Sequence, residues 1–291
     1  MNAKCAVLLG GLSAAMLAGS GLLLAQQTLQ NEPRRSIGMS VTPAFEGWFT
    51  NPDGTYTLLI GYMNRNSVQE LDVPIGPNNR IEPGGPDHGQ PTHFLTGRKW
   101  GMFAIIIPKD TPKTQRYTWT ISSNGQTNSV PFYMHTDYEI SPLSEVSIGN
   151  SPPVFKFEEK GPSVQGPLAM TASRKASVAT PLALTAWVSD DAKFTSGSGA
   201  RGRNAEARPP VSLVWSKYRG SGTVTFDKPR PQVEKLDGGP LAFNGKATTT
   251  VTFSEPGDYM LHATVNDSSG DGGGGFQCCW TTAHLKVTVT P

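Results

Sequence analysis

Cysteine, charge and segments of helical period are all scarce in this sequence. The 291 residues include three cysteines, and charged residues make up 16% of the chain, against about 25% in an average soluble domain. Lysine and arginine total 25 while aspartate and glutamate total 23, so no excess of positive charge indicates a nucleic-acid or membrane-surface partner. No long stretch repeats apolar residues every three to four positions, which argues against a helical fold.

The sequence also lacks the short motifs of several common enzyme families. It contains no GxSxG nucleophile motif, no HExxH zinc motif and no P-loop. The five histidines are scattered along the chain, and two of them, His262 and His284, fall on the outward faces of their predicted strands. We therefore expect a protein that is not an enzyme.

Glycine and proline are abundant, at 32 and 24 residues, and they separate short runs of strand character. TYTLLIGYM, residues 55–63, follows the turn sequence NPDG, and Asn124-Gly125 stands between two alternating runs as a strong hairpin signal. We predict an all-β fold of two antiparallel β-sandwich domains, at residues 38–137 and 178–291. Residues 138–177 are irregular in composition and are predicted to form a linker with some order.

The first 25 residues are typical of a secretory signal peptide. Lys4 precedes an apolar run from about Ala6 to Leu24, which ends at the small residue Ala25. A membrane anchor is the alternative, because the run approaches the span of about 20 residues that crosses a bilayer. We expect cleavage after Ala25, which removes Cys5 and leaves a mature protein without a membrane segment. We expect that protein in the periplasm, at the cell surface or in the medium.

Two stretches of the second domain carry a family resemblance. VWSKYRGSGTVTF, residues 214–226, and TTTVTFSEPGDYMLHATVND, residues 248–267, resemble bacterial PKD-like and related immunoglobulin-like domains. The resemblance implies a sandwich with Trp215 in its core and Tyr259 in a tyrosine corner. Residues 192–210, rich in glycine, serine and arginine, depart from the pattern and are predicted to be an inserted flexible loop. We recognise no family for the first domain.

One loop of the first domain contains a candidate transition-metal site. GGPDHGQPTHF, residues 84–94, brings Asp87, His88 and His93 into a segment rich in glycine and proline. Two imidazoles and a carboxylate are a sufficient ligand set for zinc or another transition metal. The alternative is an ordered connection whose side chains bond turn amides, and we favour that alternative.

A second loop resembles the beginning of a calcium-binding loop. NDSSGDGGG, residues 266–274, places Asp267, Ser269 and Asp271 at alternating positions before a glycine. Cys278 stands where a closing glutamate is expected. A weak extracellular calcium site is one interpretation and a loop of turn-forming residues is the other, which we favour. We expect no other cofactor.

Cys278 and Cys279 are adjacent, and signal cleavage leaves no third cysteine to pair with them. In an oxidising compartment we expect a vicinal disulfide, since Gly272–Gly275 provide room for the irregular backbone it requires. The alternatives are a bond to another molecule, or two surviving thiols that pack as small apolar residues. Such a disulfide would make a rigid apolar surface beside Trp280, a candidate ligand contact. Trp187 is another candidate, because it is out of phase with the core residues of its strand, although the neighbouring domain could instead cover it.

These observations favour a secreted, non-catalytic binding or adhesion module of a bacterial envelope, which recognises a protein or a glycan through its loops. The first alternative is a metal-binding protein or metal-dependent enzyme that uses Asp87, His88 and His93. The second is a structural subunit of an envelope assembly. We expect no nucleic-acid partner.

Overall fold

The computed structural model describes residues 35–145, 149–193, 210–267 and 278–291. In these ranges the chain forms strands and a single 3-10 turn at Thr136–Tyr138, so the predicted all-β fold is confirmed. The predicted signal peptide and most of the predicted loop at 192–210 lie outside the described ranges. No helix within these ranges is long and apolar enough to cross a bilayer.

The first domain consists of two small antiparallel sheets and a short strand pair. Its strands are β1 Val41–Thr50, β2 Tyr56–Asn64, β3 Leu71–Asp72, β4 Asn79–Glu82, β5 His93–Phe94, β6 Gly97–Ile107, β7 Tyr117–Ser123 and β8 Gln126–Phe132. One sheet has the order β1-β2-β6, the other has the order β4-β7-β8, and β3 pairs with β5. Apolar side chains from both sheets share one core, which includes Leu58, Ile60, Phe103, Trp119 and Ile121.

Two turns predicted from the sequence join neighbouring strands of this domain. In the NPDG turn between β1 and β2, the Gly54 amide donates to the Asn51 carbonyl at 2.9 Å. Between β7 and β8, Asn124 and Gly125 have φ angles of 48° and 75°, the left-handed conformation that a tight two-residue hairpin turn requires. Both hairpins are confirmed.

The second domain is an immunoglobulin-like sandwich of a larger and a smaller sheet. Its strands are β9 Val154–Lys156, β10 Val164–Gln165, β11 Met170–Ser177, β12 Leu182–Asp190, β13 Ser212–Arg219, β14 Val224–Phe226, β15 Glu234–Lys235, β16 Phe243–Phe253, β17 Gly257–Asn266 and β18 Trp280–Thr290. One sheet has the order β10-β9-β12-β16-β14, with β15 also paired to β16. The other has the order β11-β18-β17-β13, in which β11 and β18 run parallel.

The segment expected as a linker, residues 138–177, supplies three of these strands. β9 pairs with β12, β10 pairs with β9, and β11 extends the second sheet along β18. β9 and β10 have three and two residues and lie beside proline and glycine, so the local pattern indicated irregular chain there. β11 has eight residues with neither proline nor glycine, and it pairs along β18. The second sandwich therefore begins well before residue 178.

The features implied by the family resemblance are present in the second domain. Trp215 is 2% exposed in the core between the sheets. The Tyr259 hydroxyl donates to the Glu255 carbonyl at 2.9 Å and accepts the Gly222 amide at 3.2 Å, which is a tyrosine corner. A Cβ at Gly222 would lie 2.4 Å from that hydroxyl oxygen, so the corner requires glycine there.

Candidate functional site at the junction of the two domains

Tyr218, the penultimate residue of β13 in the second domain, joins the hydrophobic core of the first. Its side chain is fully buried in that cluster, against which Met260 of β17 also packs. Its hydroxyl donates to the Gly89 carbonyl at 2.5 Å, and its own carbonyl accepts the Thr92 amide at 3.1 Å. Residues 35–291 accordingly form one compact unit.

Arg219, the next residue, binds the loop that contains the predicted metal ligands. Its guanidinium donates two hydrogen bonds to the Asp87 carboxylate, at 2.8 and 2.9 Å, and a third from Nε to the Gln90 carbonyl at 2.9 Å. These hydrogen bonds from Arg219 hold the pKa of Asp87 below its ordinary value. Asp87 is thus an ionised partner of the second domain.

His93 lies between two carboxylates of the first domain. Its Nδ1 is 2.9 Å from Asp72 Oδ1 and its Nε2 is 3.0 Å from Glu70 Oε2, while Lys217 Nζ of the second domain donates to Asp72 at 3.2 Å. Burial lowers the pKa of His93, but the bonds to Asp72 and Glu70 outweigh it and leave that pKa raised. His93 is therefore the centre of a hydrogen-bonded network that favours its cationic form and reaches across the junction through Asp72 and Lys217.

The same network lowers the pKa of both carboxylates. The hydrogen bond from His93 is the largest influence on Glu70. For Asp72, burial raises the pKa, and the hydrogen bond and charge of His93 together with Lys217 reverse that effect. The network therefore favours the ionised form of both carboxylates.

The structure does not bring Asp87, His88 and His93 together as one ligand set. Asp87 faces Arg219 and His93 faces Glu70 and Asp72, whereas the His88 ring packs edge-on against Tyr117 with centroids 6.2 Å apart. Across the described ranges, no three histidine, cysteine, aspartate or glutamate side chains converge to hold a metal ion. Two of the three predicted ligands instead join the domains.

The imidazoles of His262 and His284 lie on the outward face of their sheet, as strand alternation predicted, but that face is buried. They are 2% and 6% exposed, with His284 Nε2 2.9 Å from His262 Nδ1. Tyr218 stacks on His262 and lies 4.4 Å, centroid to centroid, from His284. Burial lowers the pKa of His262 and lowers that of His284 to about 4, so both rings are neutral. Their sheet face is covered by the first domain.

An open groove, which we call the junction groove, runs along this boundary. Its larger part has a volume of about 430 Å³ and is lined by residues of both domains, among them Glu70, Asp72, Lys217, Ser221, Thr223 and Phe226. A smaller part of about 80 Å³ is lined by Arg98, Lys99, Trp100, Arg230, His262 and Trp280. Leu95 and Ser216 line both parts, so the two are adjacent.

Trp100 is the exposed aromatic residue of the junction groove. It is 45% exposed, and the Arg98 guanidinium carbon lies 4.0 Å from its ring centroid. Arg98 is itself held by two hydrogen bonds to Glu46, at 2.7 and 2.8 Å. The cation therefore fixes an aromatic ring at the edge of the groove.

Trp280, a candidate ligand contact, is 3% exposed and packs with Phe49, Leu59 and Ile140. A Cβ at Gly101 would lie 2.6 Å from its ring, so glycine is needed for this contact. Within the described ranges, the indole Nε1 and Nε2 of His262 have no hydrogen-bond partner. Both residues line the smaller part of the groove, where a ligand atom or water could bond them.

Cys278 and Cys279 form the predicted vicinal disulfide. They are 2% and 0% exposed, and their sulfurs lie 3.9 and 3.5 Å from the Asn150 carbonyl oxygen. Both cysteines are buried and contact Asn150. The disulfide therefore does not form the exposed apolar surface expected beside Trp280.

Trp187 faces away from the core, as its position in β12 predicted, and is half-buried. Lys246 Nζ lies 5.3 Å from its ring centroid. It lines a separate depression of about 240 Å³ with Lys156, Leu236 and Asn244. The first domain contributes no residue to this depression in the ranges described.

Of the three predicted calcium ligands, only Asp267 lies within the described residues. It is 5% exposed and accepts a hydrogen bond from Asn150. Ser269 and Asp271 lie outside those ranges.

No protein-family model and no curated protein matches this chain. Among solved structures, the D00-D0 domain of intimin aligns with 87% of this chain and 100% of its own, at 13% identity and a TM-score of 0.25. The adhesin InvE of Yersinia pseudotuberculosis aligns over 87% and 59%, at 10% identity and a TM-score of 0.24. CfaE, the adhesive subunit of the CFA/I fimbria of enterotoxigenic Escherichia coli, aligns over 89% and 81%, at 10% identity and a TM-score of 0.20. Likeness of this degree says nothing about function, which has to be inferred from the residues of the chain.

Proposed function

We propose that this chain is a secreted, non-catalytic binding module of the cell surface or envelope, and that it holds a glycan in the junction groove. The observation that carries this proposal is the groove itself, whose two walls come from different domains. A site between domains that are fixed relative to each other is preorganised for binding.

The walls of the groove are fixed by charge pairs as well as by packing. Arg219 grips Asp87 with two parallel hydrogen bonds, and Lys217 joins the network of Asp72 and His93. Tyr218, between these two cations, fills a place in the core of the first domain. Binding would therefore cost little ordering of the protein.

The acid and base groups of the groove support binding rather than catalysis. A general base must be able to accept a proton from a substrate, yet both nitrogens of His93 are engaged by carboxylates. His262, which lines the smaller part of the groove, is 2% exposed, and its Nδ1 is paired with His284. Neither arrangement resembles a nucleophile with its activating base.

The polar and aromatic lining suits a carbohydrate. Glu70 and Asp72 have half-exposed side chains, at 49% and 56%, and carboxylates are acceptors for sugar hydroxyls. Trp100 offers a partly exposed ring, on which the apolar face of a sugar can pack. A groove with charged walls and few exposed apolar side chains is less suited to the apolar centre of a stable protein interface.

The proposal is tested by a glycan array that includes neutral, acidic and amino-sugar oligosaccharides, probed with the purified mature protein. A bound glycan is then titrated by calorimetry against the protein and its Trp100→Ala variant. We expect Trp100→Ala to lose about 5- to 100-fold in affinity, because removing one stacked aromatic ring costs about 1–3 kcal/mol in the stacking of nucleobases on aromatic side chains.

Trp187→Ala is the matched control, since Trp187 is also a partly exposed tryptophan beneath a cation but lies outside the groove. It should bind the glycan as the parent protein does. If Trp187→Ala loses binding and Trp100→Ala does not, the glycan site is the depression beside Trp187 and not the junction groove. The assignment of a glycan ligand would be overturned if the array gives no signal and the protein instead captures a protein from envelope extract in a way that depends on groove residues.

A further inference from the structure

Three segments that are distant in sequence meet at one end of the second domain. Asn150 precedes β9, Asp190 ends β12 and Asp267 follows β17. The side-chain nitrogen Nδ2 of Asn150 donates to Asp267 Oδ2 at 2.5 Å. Ser151, the next residue, donates from its amide and its hydroxyl to Asp191 Oδ2, at 3.2 and 2.9 Å. The segment at residues 150–151 thus contacts carboxylates from both other segments.

Two buried oxygens in this cluster have no hydrogen-bond partner among the residues that the structure describes. They are Asp190 Oδ2 and Asn150 Oδ1, in residues that are 1% and 0% exposed. Oδ1 of Asp190 accepts the main-chain amide of Ala192 at 2.8 Å. Nδ2 of Asn150 is the donor to Asp267. A buried acceptor without a donor or a cation is unfavourable and rare in native proteins.

The cluster also concentrates negative charge. Asp190 and Asp267 are 1% and 5% exposed, and Asp191, next to Asp190, accepts the Ser151 hydroxyl. Lys193 lies 3.8 Å from Asp191 and donates to the Gly149 carbonyl at 2.8 Å. A buried carboxylate beside two others is an arrangement that a bound cation would stabilise.

We propose that Asn150, Asp190 and Asp267 bind a calcium ion through their side-chain oxygens. Calcium takes six to eight oxygen ligands in flexible geometry, including carboxylates, amide carbonyls and water. Two carboxylates and one amide oxygen are a partial shell of that kind, which main-chain carbonyls and water would complete. The ligand set differs from the run Asp267, Ser269 and Asp271 expected from the sequence, because only Asp267 is common to both.

The chemistry of the three ligands distinguishes calcium from other metals. Zinc and other transition metals prefer imidazole and thiolate ligands, and the thiols nearest this cluster, Cys278 and Cys279, are joined in a disulfide. Magnesium demands near-ideal octahedral geometry and gives up water reluctantly. Extracellular calcium modules bind with dissociation constants of about 10⁻⁴–10⁻³ M, and we expect that range here.

A calcium ion at this position would fasten the entry of the chain into the second domain. The main-chain carbonyl of Asn150 already faces the sulfurs of the disulfide. The ion would bind the side chain of the same residue to the ends of β12 and β17, which lie in different sheets. It would therefore stabilise the domain without entering the junction groove.

The test uses the mature protein stripped of metal with EDTA. Calorimetric titration with CaCl₂ should give saturable binding, and CaCl₂ at about ten times the dissociation constant should raise the melting temperature by several degrees. An equal concentration of MgCl₂ should have a much smaller effect. Asp190→Asn should bind calcium at least tenfold more weakly, whereas Asp237→Asn, an exposed carboxylate in the same domain, should bind as the parent does.

The order of melting temperatures provides a second readout. In EDTA, Asp190→Asn should melt at the same temperature as the parent or above it, because the variant removes a buried charge; in calcium it should melt below the parent. If Asp190→Asn does not fold, Asp267→Asn serves in its place. The proposal would be overturned if calorimetry detects no heat of calcium binding up to millimolar concentrations. It would also be overturned if calcium raises the melting temperatures of the parent and of Asp190→Asn equally. Glycan binding by the groove is measured separately, so either proposal can fail alone.

Discussion

Arg219 of the second domain holds Asp87 of the first with two parallel hydrogen bonds of 2.9 and 2.8 Å. The pairing joins the last residue of β13 to a loop that, from its sequence, resembled a metal site. Parallel hydrogen bonds of this kind require the planar guanidinium, because an ammonium group presents its charge at one point. The contact is therefore specific for arginine.

Arg219→Lys should destabilise the protein by about 1 kcal/mol at neutral pH, since the pair is partly exposed and screened by solvent. Urea unfolding measures the difference. The folded pKa of Asp87 lies below its ordinary value of 3.8, so the contribution is present above pH 3.8 and is lost as the pH falls through the folded pKa. Arg80→Lys is the control, because its pair with Glu82 lies on the surface of a single strand; equal losses in both variants would contradict a special role for Arg219.

The network around His93 should make stability depend on pH in the opposite direction. Since the folded pKa of His93 lies above its ordinary value of 6.5, its contribution is complete below pH 6.5 and is lost as the pH rises through the folded pKa. We expect His93→Gln to cost about 1–2 kcal/mol at pH 6 and the difference from the parent to shrink at alkaline pH. An NMR titration of His93 that gives a pKa below 6.5 would refute this expectation.

Tyr218 should determine whether the two domains unfold together. Tyr218→Ala leaves a cavity in the core of the first domain and should cost about 3–5 kcal/mol, enough to separate the unfolding of the domains into two transitions. Tyr218→Phe keeps the ring and loses only the bond to the Gly89 carbonyl, for about 1–2 kcal/mol. Differential scanning calorimetry distinguishes the two variants by the number and temperature of their unfolding transitions. A single transition in Tyr218→Ala, at an unchanged temperature, would show that the ring does not couple the domains.

The vicinal disulfide predicts a mature mass two hydrogens below that of the reduced chain, with no dimer on a non-reducing gel. Because both sulfurs are buried, dithiothreitol should reduce the pair slowly in the native protein and quickly in urea. Thiol titration with a chromogenic reagent follows both rates. Two titratable thiols in exported protein that has never been reduced would rule the bond out.

The sequence by itself determined the local elements of this fold. NPDG and Asn124-Gly125 made their hairpins because the turn conformations of those residues depend on neighbours only a few positions away. The pairing of adjacent cysteines and the tyrosine corner of Tyr259 likewise depend on short stretches of chain. A period of two identifies a strand wherever that strand is finally placed.

Only the tertiary structure decided which faces are covered and which distant residues meet. The alternation around His262 and His284 placed both on an outward face correctly, yet that face is buried because the first domain packs on it through Tyr218. Asn150 and Asp267 lie 117 positions apart and share a hydrogen bond. Local periodicity contains no information about such contacts, since they follow from how whole sheets pair and pack. Asp87 is bound by Arg219 of the other domain, whereas His93 is bound by Glu70 and Asp72 of its own.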